Sequence, residues 1–274
     1  CALPILLTPT TAPGRRGGGG EHGPDHPAEL RGAPAGPVRL VGGAAGLRPS
    51  VQYPAAGAHR RHLLPADGPS AGAGRQLDAL AGASDACAPL AKHLQGKPVS
   101  ILVNCAGGAF DASSVSESDP EIWKKTYDVN VIGSVRMVKA ITPLMQAHGQ
   151  GHIVIISSTA GHRAYENGGS YVAAKFAETS LVETLRLELN GQPIRVTEIA
   201  PGMVKTDEFA KVRFGGDTER AAKVYEGVTR PLTAEDVAES IRWSVMLPSH
   251  FNIDSMIIRP IAQAAAHKVY RQPL

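Results

Sequence analysis

Cysteine is scarce in this chain of 274 residues. The three present, Cys1, Cys87 and Cys105, are odd in number and show no CxxC or Cys/His spacing, which argues against a disulfide framework or a structural zinc site and for a reducing, cytoplasmic setting. No metal is expected. Also missing is any apolar run near the ~18 residues of a spanning helix, and the opening "CALPILL" is too short for a complete signal peptide. A leading cysteine can be a lipid-modified terminus, but without an initiator Met a truncated start is the preferred reading. Charge of one sign is lacking too. The formal net charge is +3, with no block beyond Lys124-Lys125 and two Arg pairs, so neither nucleic acid nor membrane is an expected partner. Small molecules are. With 43% apolar residues, the chain can build a sizeable core as one large α/β domain or two small ones.

Absences also divide the chain. Residues 1–75 have no lysine, no phenylalanine and one isoleucine, against eight arginines, half of all the glycines and about half of the prolines. The stretch "GRRGGGGEHGPDHPAELRGAPAGP" shows neither period-2 nor 3.6 periodicity, so it cannot bury enough apolar side chain to offset the entropy of ordering. Disorder is the expectation for this low-complexity segment. A Gly/Arg arm touching RNA is one reading, but interleaved aromatics are lacking. GC-rich DNA translated out of frame gives the same bias and is preferred.

From Gln76 to Leu274 helical and strand patterns alternate. "LDALAGASDACAPLAKHLQG" reads as a helix ending near Gly96, and "VSILV" (99–103) as a buried strand. Ser118-Asp119-Pro120-Glu121 has capping-box form and opens one long helix through Ala147, ended by "HGQG". Next come the strand "HIVIIS", a helix from about Ser170 to Leu189, the strand "IRVTEIA", a loop at "PGMVKT", a helix opened by Thr233 and Asp236, and a strand near "SMIIRP". This order predicts a parallel sheet with helices on both faces and a ligand beyond the strands' carboxyl ends, at Asn104, Ser157-Ser158 and Pro201-Gly202.

In "GGSYVAAKF", Tyr171 and Lys175 stand four apart and share a helix face. A phenol titrating near about 10 is a poor base at neutral pH, but an adjacent ammonium favours phenolate and brings it toward working range. Ser158, at a strand end, can hydrogen-bond a substrate oxygen while Tyr171 moves its proton. Asn130, in "YDVNVIG", is a poor helix former whose amide can bend the helix or hold a water. Each alone is commonplace; at successive strand ends they form a candidate catalytic group.

"VNCAGG", "YDVNVIGS", "HIVIISSTAG", the Tyr171/Lys175 pair and "IAPGMVKT" together resemble the ordered signature of the short-chain dehydrogenases/reductases, from about Gln76 onward. The resemblance implies a Rossmann-type doubly wound parallel sheet and a tetrad. In it Tyr171 is the acid/base, Ser158 steadies the substrate oxygen, Lys175 lowers the tyrosine pKa and holds the nicotinamide ribose, and Asn130 keeps a water for proton relay. It further implies cofactor contacts at Asp78, Asn104, Ala106, Gly107, Pro201, Gly202, Val204 and Thr206. Cys105 departs from the family's second Asn. The stretches "IRVTEIAPGMVKTDEFAKVRFGGD", "LTAEDVAESIRWSVMLPSHFNIDSMIIRP" and "HKVYRQ" are similar to the NADP-dependent 3-hydroxy acid dehydrogenase branch, which implies NADP (NAD as the alternative), a small 3-hydroxy acid such as serine, allo-threonine or 3-hydroxypropionate, and a homotetramer formed through the helices at Asp119 to Ala147 and Ser170 to Leu189. A carboxylate substrate wants a bidentate cation. Arg213 is the candidate, with Arg163 and Arg259 as alternatives.

One family element is missing: the initial strand, TGxxxGxG and helix that receive the pyrophosphate. "LVGGAAGL" (40–47) imitates it without the threonine or the last glycine, and "APAGPVR" before it does not read as a strand. The expectation is a sheet incomplete at its N-terminal strands, with weak or absent cofactor binding. Three functions stay open: a 3-hydroxy acid dehydrogenase, a general ketone or 3-oxoacyl reductase with the same tetrad, or an inactive chain.

Overall fold

The computed structural model describes the backbone of residues 5–9 and 38–41, together with residues 90, 92–206 and 208–272. The sheet is built on four parallel strands, β3 (Ile101–Asn104), β4 (Gly151–Ile156), β5 (Ile194–Pro201) and β6 (Ser255–Ile258), adjacent in that order. Two strands from the first 75 residues, β1 (Ile5–Pro9) and β2 (Val38–Val41), extend it in the order β2-β1-β3-β4-β5-β6. Both β1 pairings are antiparallel, with Ile5 opposite Val103 and Leu6 opposite Val41. This corrects the reading of "APAGPVR", whose last two residues open β2. An edge such as β3 presents unpaired backbone groups that any extended segment can satisfy, whatever its side chains. The remainder of residues 1–75, and Asp78, lie outside the described residues.

Alternation on β3 sends Leu102 to one face and Ile101 and Val103 to the other. Leu102, Ile153, Ile155 and Val196 pack against Ile141, Met145, Val182 and Leu185 from helices α2 (Gly133–His148) and α3 (Gly169–Glu188). Full burial of each such side chain contributes about 1.5–3 kcal/mol, which makes this layer the main core. On the opposite face Ile101, Val103, Val154 and Ile199 meet Ile241 and Val245 of α6 (Ala234–Val245). That helix opens with the expected Thr233/Asp236 capping box.

The long helix expected through Ala147 is in fact interrupted. Helix α1 (Pro120–Tyr127) is capped by Asp119, which accepts from the Glu121 amide, whereas Ser118 turns its hydroxyl to Asp111 and accepts from the Trp123 indole. A π-helical turn, Asp128–Ile132, then precedes α2. Asn130 causes it: its amide nitrogen donates to the Thr126 carbonyl at 2.7 Å, taking an acceptor that the helix ladder would use. Helix α2 ends at Gly149, whose φ of 77° suits a residue without Cβ.

After β5 the chain forms two short helices, α4 (Phe209–Arg213) and α5 (Thr218–Lys223), and after β6 a hairpin of β7 (Gln263–Ala265) and β8 (Lys268–Val269) that sequence periodicity did not show. Among the described residues no helix is long and apolar enough to cross a membrane.

Candidate active site

The carboxyl ends of β3, β4 and β5 bring Asn104, Ser157-Ser158 and Pro201 side by side, as the strand pattern predicted. Ser158 caps a short 3-10 turn, Thr159–Gly161, accepting from the Ala160 amide at 3.1 Å and donating to the Pro201 carbonyl at 3.3 Å. Its hydroxyl faces the Tyr171 phenol across from α3. Tyr171 is 8% exposed, held edge-on by Phe209 and packed with Ala109 and Ala160. The Lys175 ammonium lies 5.6 Å from the Tyr171 ring centre, one helical turn along, and donates to the Ile156 carbonyl at 3.1 Å. A Cβ added to Gly107 would stand 2.4 Å from the Asn130 amide oxygen and 3.4 Å from the Lys175 ammonium. All four tetrad candidates therefore converge, with the Gly107 backbone between two of them.

Asn130 is fully buried and fully engaged as a donor. Besides Thr126, its amide gives to the Gly108 carbonyl at 2.9 Å and accepts from the Gly108 N–H at 3.1 Å, clamping the "NCAGG" loop to the π turn. The other cofactor candidates border the same opening. Asn104 is buried with its amide toward the Ser134 carbonyl, Ala106 and Gly107 are half-buried, Gly202 bonds Ile258, Val204 bridges to Leu232, and the Thr206 hydroxyl accepts from the Phe209 amide. A side chain at Gly202 would meet Gln263 at 2.2 Å, so this loop must pass the β7 hairpin without one. Arg213 gives Nη1 to the Tyr165 hydroxyl and Nη2 to the Asn167 carbonyl. Its Nε is buried without a hydrogen-bond partner among the described residues. Arg163 and Arg259 are exposed.

Two carboxylates that sequence reasoning missed complete the site. Glu178, 1% exposed, sets Oε2 2.6 Å from the Lys175 ammonium. Glu198, 2% exposed on β5, accepts from the hydroxyls of Ser157 (2.5 Å), Thr179 (2.7 Å) and Ser255 (2.6 Å) and faces the His162 ring at 3.0 Å. A charged residue inside the buried strand "VTEIA", and a second on the Lys175 face of α3, were the available signals.

Burial sets the electrostatics. It pushes the Tyr171 phenol up, against the pull of Lys175 and the Ser158 hydroxyl. It pushes Glu178 up to about 7, against Lys175, with Glu198 adding repulsion. For Lys175 burial works downward, but Glu178 and Tyr171 outweigh it and the ammonium is held above its usual range. Burial also opposes charge on Glu198, yet its hydroxyl donors and His162 leave it below the usual carboxylate range, a stable anion. Such an arrangement can hold a hydroxyl or carbonyl oxygen at Ser158 and pass a proton to or from it through Tyr171.

Against known proteins, residues 76–215 match the family model for short chain dehydrogenases, which is half of the chain. The chain belongs to the short-chain dehydrogenase family. It is 47% identical over 160 residues to an uncharacterized oxidoreductase of Mycobacterium tuberculosis (strain H37Rv), spanning 58% of this chain and 63% of that relative's length. With the NADP-dependent 3-hydroxy acid dehydrogenase YdfG of Escherichia coli (strain K12) it shares 40% identity over 175 residues, 64% of this chain and 70% of the relative. The closed form of a serine dehydrogenase complexed with NADP+ superposes with a TM-score of 0.60 at 40% identity, covering 64% of this chain and 71% of the other.

Proposed function

We propose that this short-chain dehydrogenase interconverts the 3-hydroxyl and 3-oxo forms of a small 3-hydroxy acid with NADP. The observation that carries the reading is the convergence of Ser158, Tyr171 and Lys175 at the carboxyl ends of the parallel strands, buried enough for a proton to pass between phenol and substrate without competition from bulk water. When bound, the nicotinamide supplies the hydride acceptor for the alcohol or the donor for the ketone. Ser158 orients the substrate oxygen, Tyr171 takes up or returns its proton, and Lys175 supplies the positive charge that makes phenolate accessible. Asn130 shapes the Gly108 loop and is the candidate to hold a relay water. Catalysis needs no metal ion in this scheme.

The nicotinamide half of the cofactor suits the residues present. A backbone cradle at Gly107, too tight for a Cβ, lies against the Lys175 ammonium, and Asn104, Ala106, Pro201, Gly202, Val204 and Thr206 would border the ring and ribose. Arg213 is the candidate partner for the substrate carboxylate: it sits beside Tyr165 near the Tyr171 cluster and has an unused Nε. Serine, allo-threonine and 3-hydroxypropionate are the substrates to test first, and ketones or 3-oxoacyl esters turned over in preference to them would assign the chain to a general reductase instead. Assembly as a cytoplasmic homotetramer fits Tyr127, Val135, Phe176 and Leu187, exposed apolar side chains on α1, α2 and α3; light scattering that gives a monomer overturns it.

A second reading, a chain that keeps the chemistry without the cofactor, is favoured by one observation. The strand that extends the sheet beyond β3, β1, runs antiparallel to it, where a dinucleotide-binding βαβ unit places a parallel strand. Fluorescence titration of the 274-residue chain with NADPH separates the two. Saturable binding that Lys175→Ala weakens, with turnover of a 3-hydroxy acid, supports the dehydrogenase. No binding supports the inactive chain.

A further inference from the structure

Lysine can serve a phenol only with charge that is not already balanced. Lys175 is balanced: its ammonium meets Glu178 Oε2 at 2.6 Å, with side chains 5% and 1% exposed, so no water screens the pair. We propose that Glu178 is a positioning residue of the active site: its carboxylate steers the Lys175 ammonium toward the sheet and withholds its charge from the Tyr171 phenol, and a proton taken up by Glu178 releases that charge. The proposal rests on the dehydrogenase reading for its purpose, but its physics does not depend on cofactor.

The surroundings of Glu178 leave few alternatives. On its own helix it faces Lys175 and is felt by Tyr171. From β5 the anionic Glu198 repels it, from the loop after β3 the Cys105 thiol adjoins Lys175, and from α2 Ser134 offers a hydroxyl. Burial has pushed Glu178 up to about 7, so the carboxyl changes state near neutral pH. Ionised, it makes the pair neutral and repels a phenolate. Protonated, it leaves a buried ammonium that, among the described residues, still donates to the Ile156 carbonyl. The phenol is then the acid best placed to balance it, because an unpaired buried cation is costly. A protonated Glu178 therefore lowers the Tyr171 midpoint, so phenolate is lost less steeply on acidification than from an isolated phenol.

Phenolate absorbance tests this directly. Each of wild type, Glu178→Gln and Lys175→Met is titrated against the same chain carrying Tyr171→Phe, so that the difference reports Tyr171 alone. Glu178→Gln should lower the Tyr171 midpoint by about one pH unit, a tenfold gain in acidity, and Lys175→Met should raise it. Glu178→Leu, of similar volume and uncharged, gives the same downward shift should the amide disturb folding. Glu178→Asp, which keeps a carboxylate, should return the midpoint toward wild type, and the pH profile of kcat/KM should move with it. A midpoint that stays or rises in both neutral variants overturns the coupling while leaving NADP-dependent turnover as evidence for the dehydrogenase. A lowered midpoint in a chain that takes no NADPH upholds the coupling and overturns the functional reading.

Discussion

Gly107→Ala is a single methyl group placed where the structure has no room. The added Cβ would lie 2.4 Å from the Asn130 amide oxygen and 3.4 Å from the Lys175 ammonium, when contacts under 3.0 Å force something to move. Asn130 cannot yield freely, because its amide is tied to Gly108 N–H, the Gly108 carbonyl and the Thr126 carbonyl at 3.1, 2.9 and 2.7 Å. The 104–108 loop must therefore lift or Asn130 must surrender bonds in a fully buried site. Overpacking costs about 1–3 kcal/mol, and a buried polar group left unsatisfied costs about 1–3 kcal/mol, so a loss of about 3 kcal/mol is expected. At roughly 2–4 °C per kcal/mol for a domain of this size, Tm should fall by about 6–12 °C. NADPH affinity should drop as well, because the same loop borders Lys175. Circular dichroism melts and fluorescence titration read the two effects. An alanine variant that melts within a degree of wild type, with unchanged NADPH affinity, would refute the placement of Gly107 between Asn130 and Lys175.

Tyr171→Phe removes the proposed proton carrier and should lower kcat by about 10²–10⁴-fold with NADPH affinity changed less than twofold; residual activity near wild type would exclude Tyr171 as acid/base. Arg213→Ala should raise KM for a 3-hydroxy acid tenfold or more with little change in kcat, and an unchanged KM excludes it as the carboxylate partner. The acid response is set by two opposed groups. His152, buried and bonded to the Thr197 hydroxyl, is held down from 6.5 to about 3, so the unfolded chain takes a proton that the native one refuses and stability falls as pH drops below 6.5. Glu178, raised from 4.5 to about 7, works the other way: the native state keeps a proton that the unfolded chain has released, and stability rises as pH falls from 7 to 4.5. Urea midpoints of wild type should thus be nearly flat between those values. In Glu178→Gln only the His152 slope remains, about 1.4 kcal/mol lost per pH unit of acidification, and a flat profile in that variant contradicts the pair of assignments.

Much of the site was readable before any coordinates. Strand ends at Asn104, Ser158 and Pro201 follow from short β-branched runs bounded by Gly and Pro, and the shared face of Tyr171 and Lys175 follows from helical geometry alone. Asn130 was half legible: a poor helix former mid-helix signalled a distortion, but its hold on Gly108, 22 residues away, is a contact that no local pattern encodes. Arg213 was picked for its charge and loop position. The structure adds Tyr165 and Asn167 as its partners, 48 and 46 residues distant. Ser118 was misassigned because the S-x-x-E spacing is blind to Asp111 and Trp123, which compete for the same hydroxyl.

Local periodicity and residue spacing by themselves marked the parallel strands from residue 101 onward, helices α3 and α6, and the shared face of Tyr171 and Lys175. Only the tertiary structure decided that the Lys175–Glu178 pair is buried away from water, that Glu198 gathers three hydroxyls, Ser157 among them, and His162, and that antiparallel β1 borders β3 with β2 beyond it. Those outcomes depend on which segments meet across a packed sheet: Lys175 and Glu178 stand one helical turn apart, but the elements that bury them, like the hydroxyls that meet Glu198, come from distant parts of the chain.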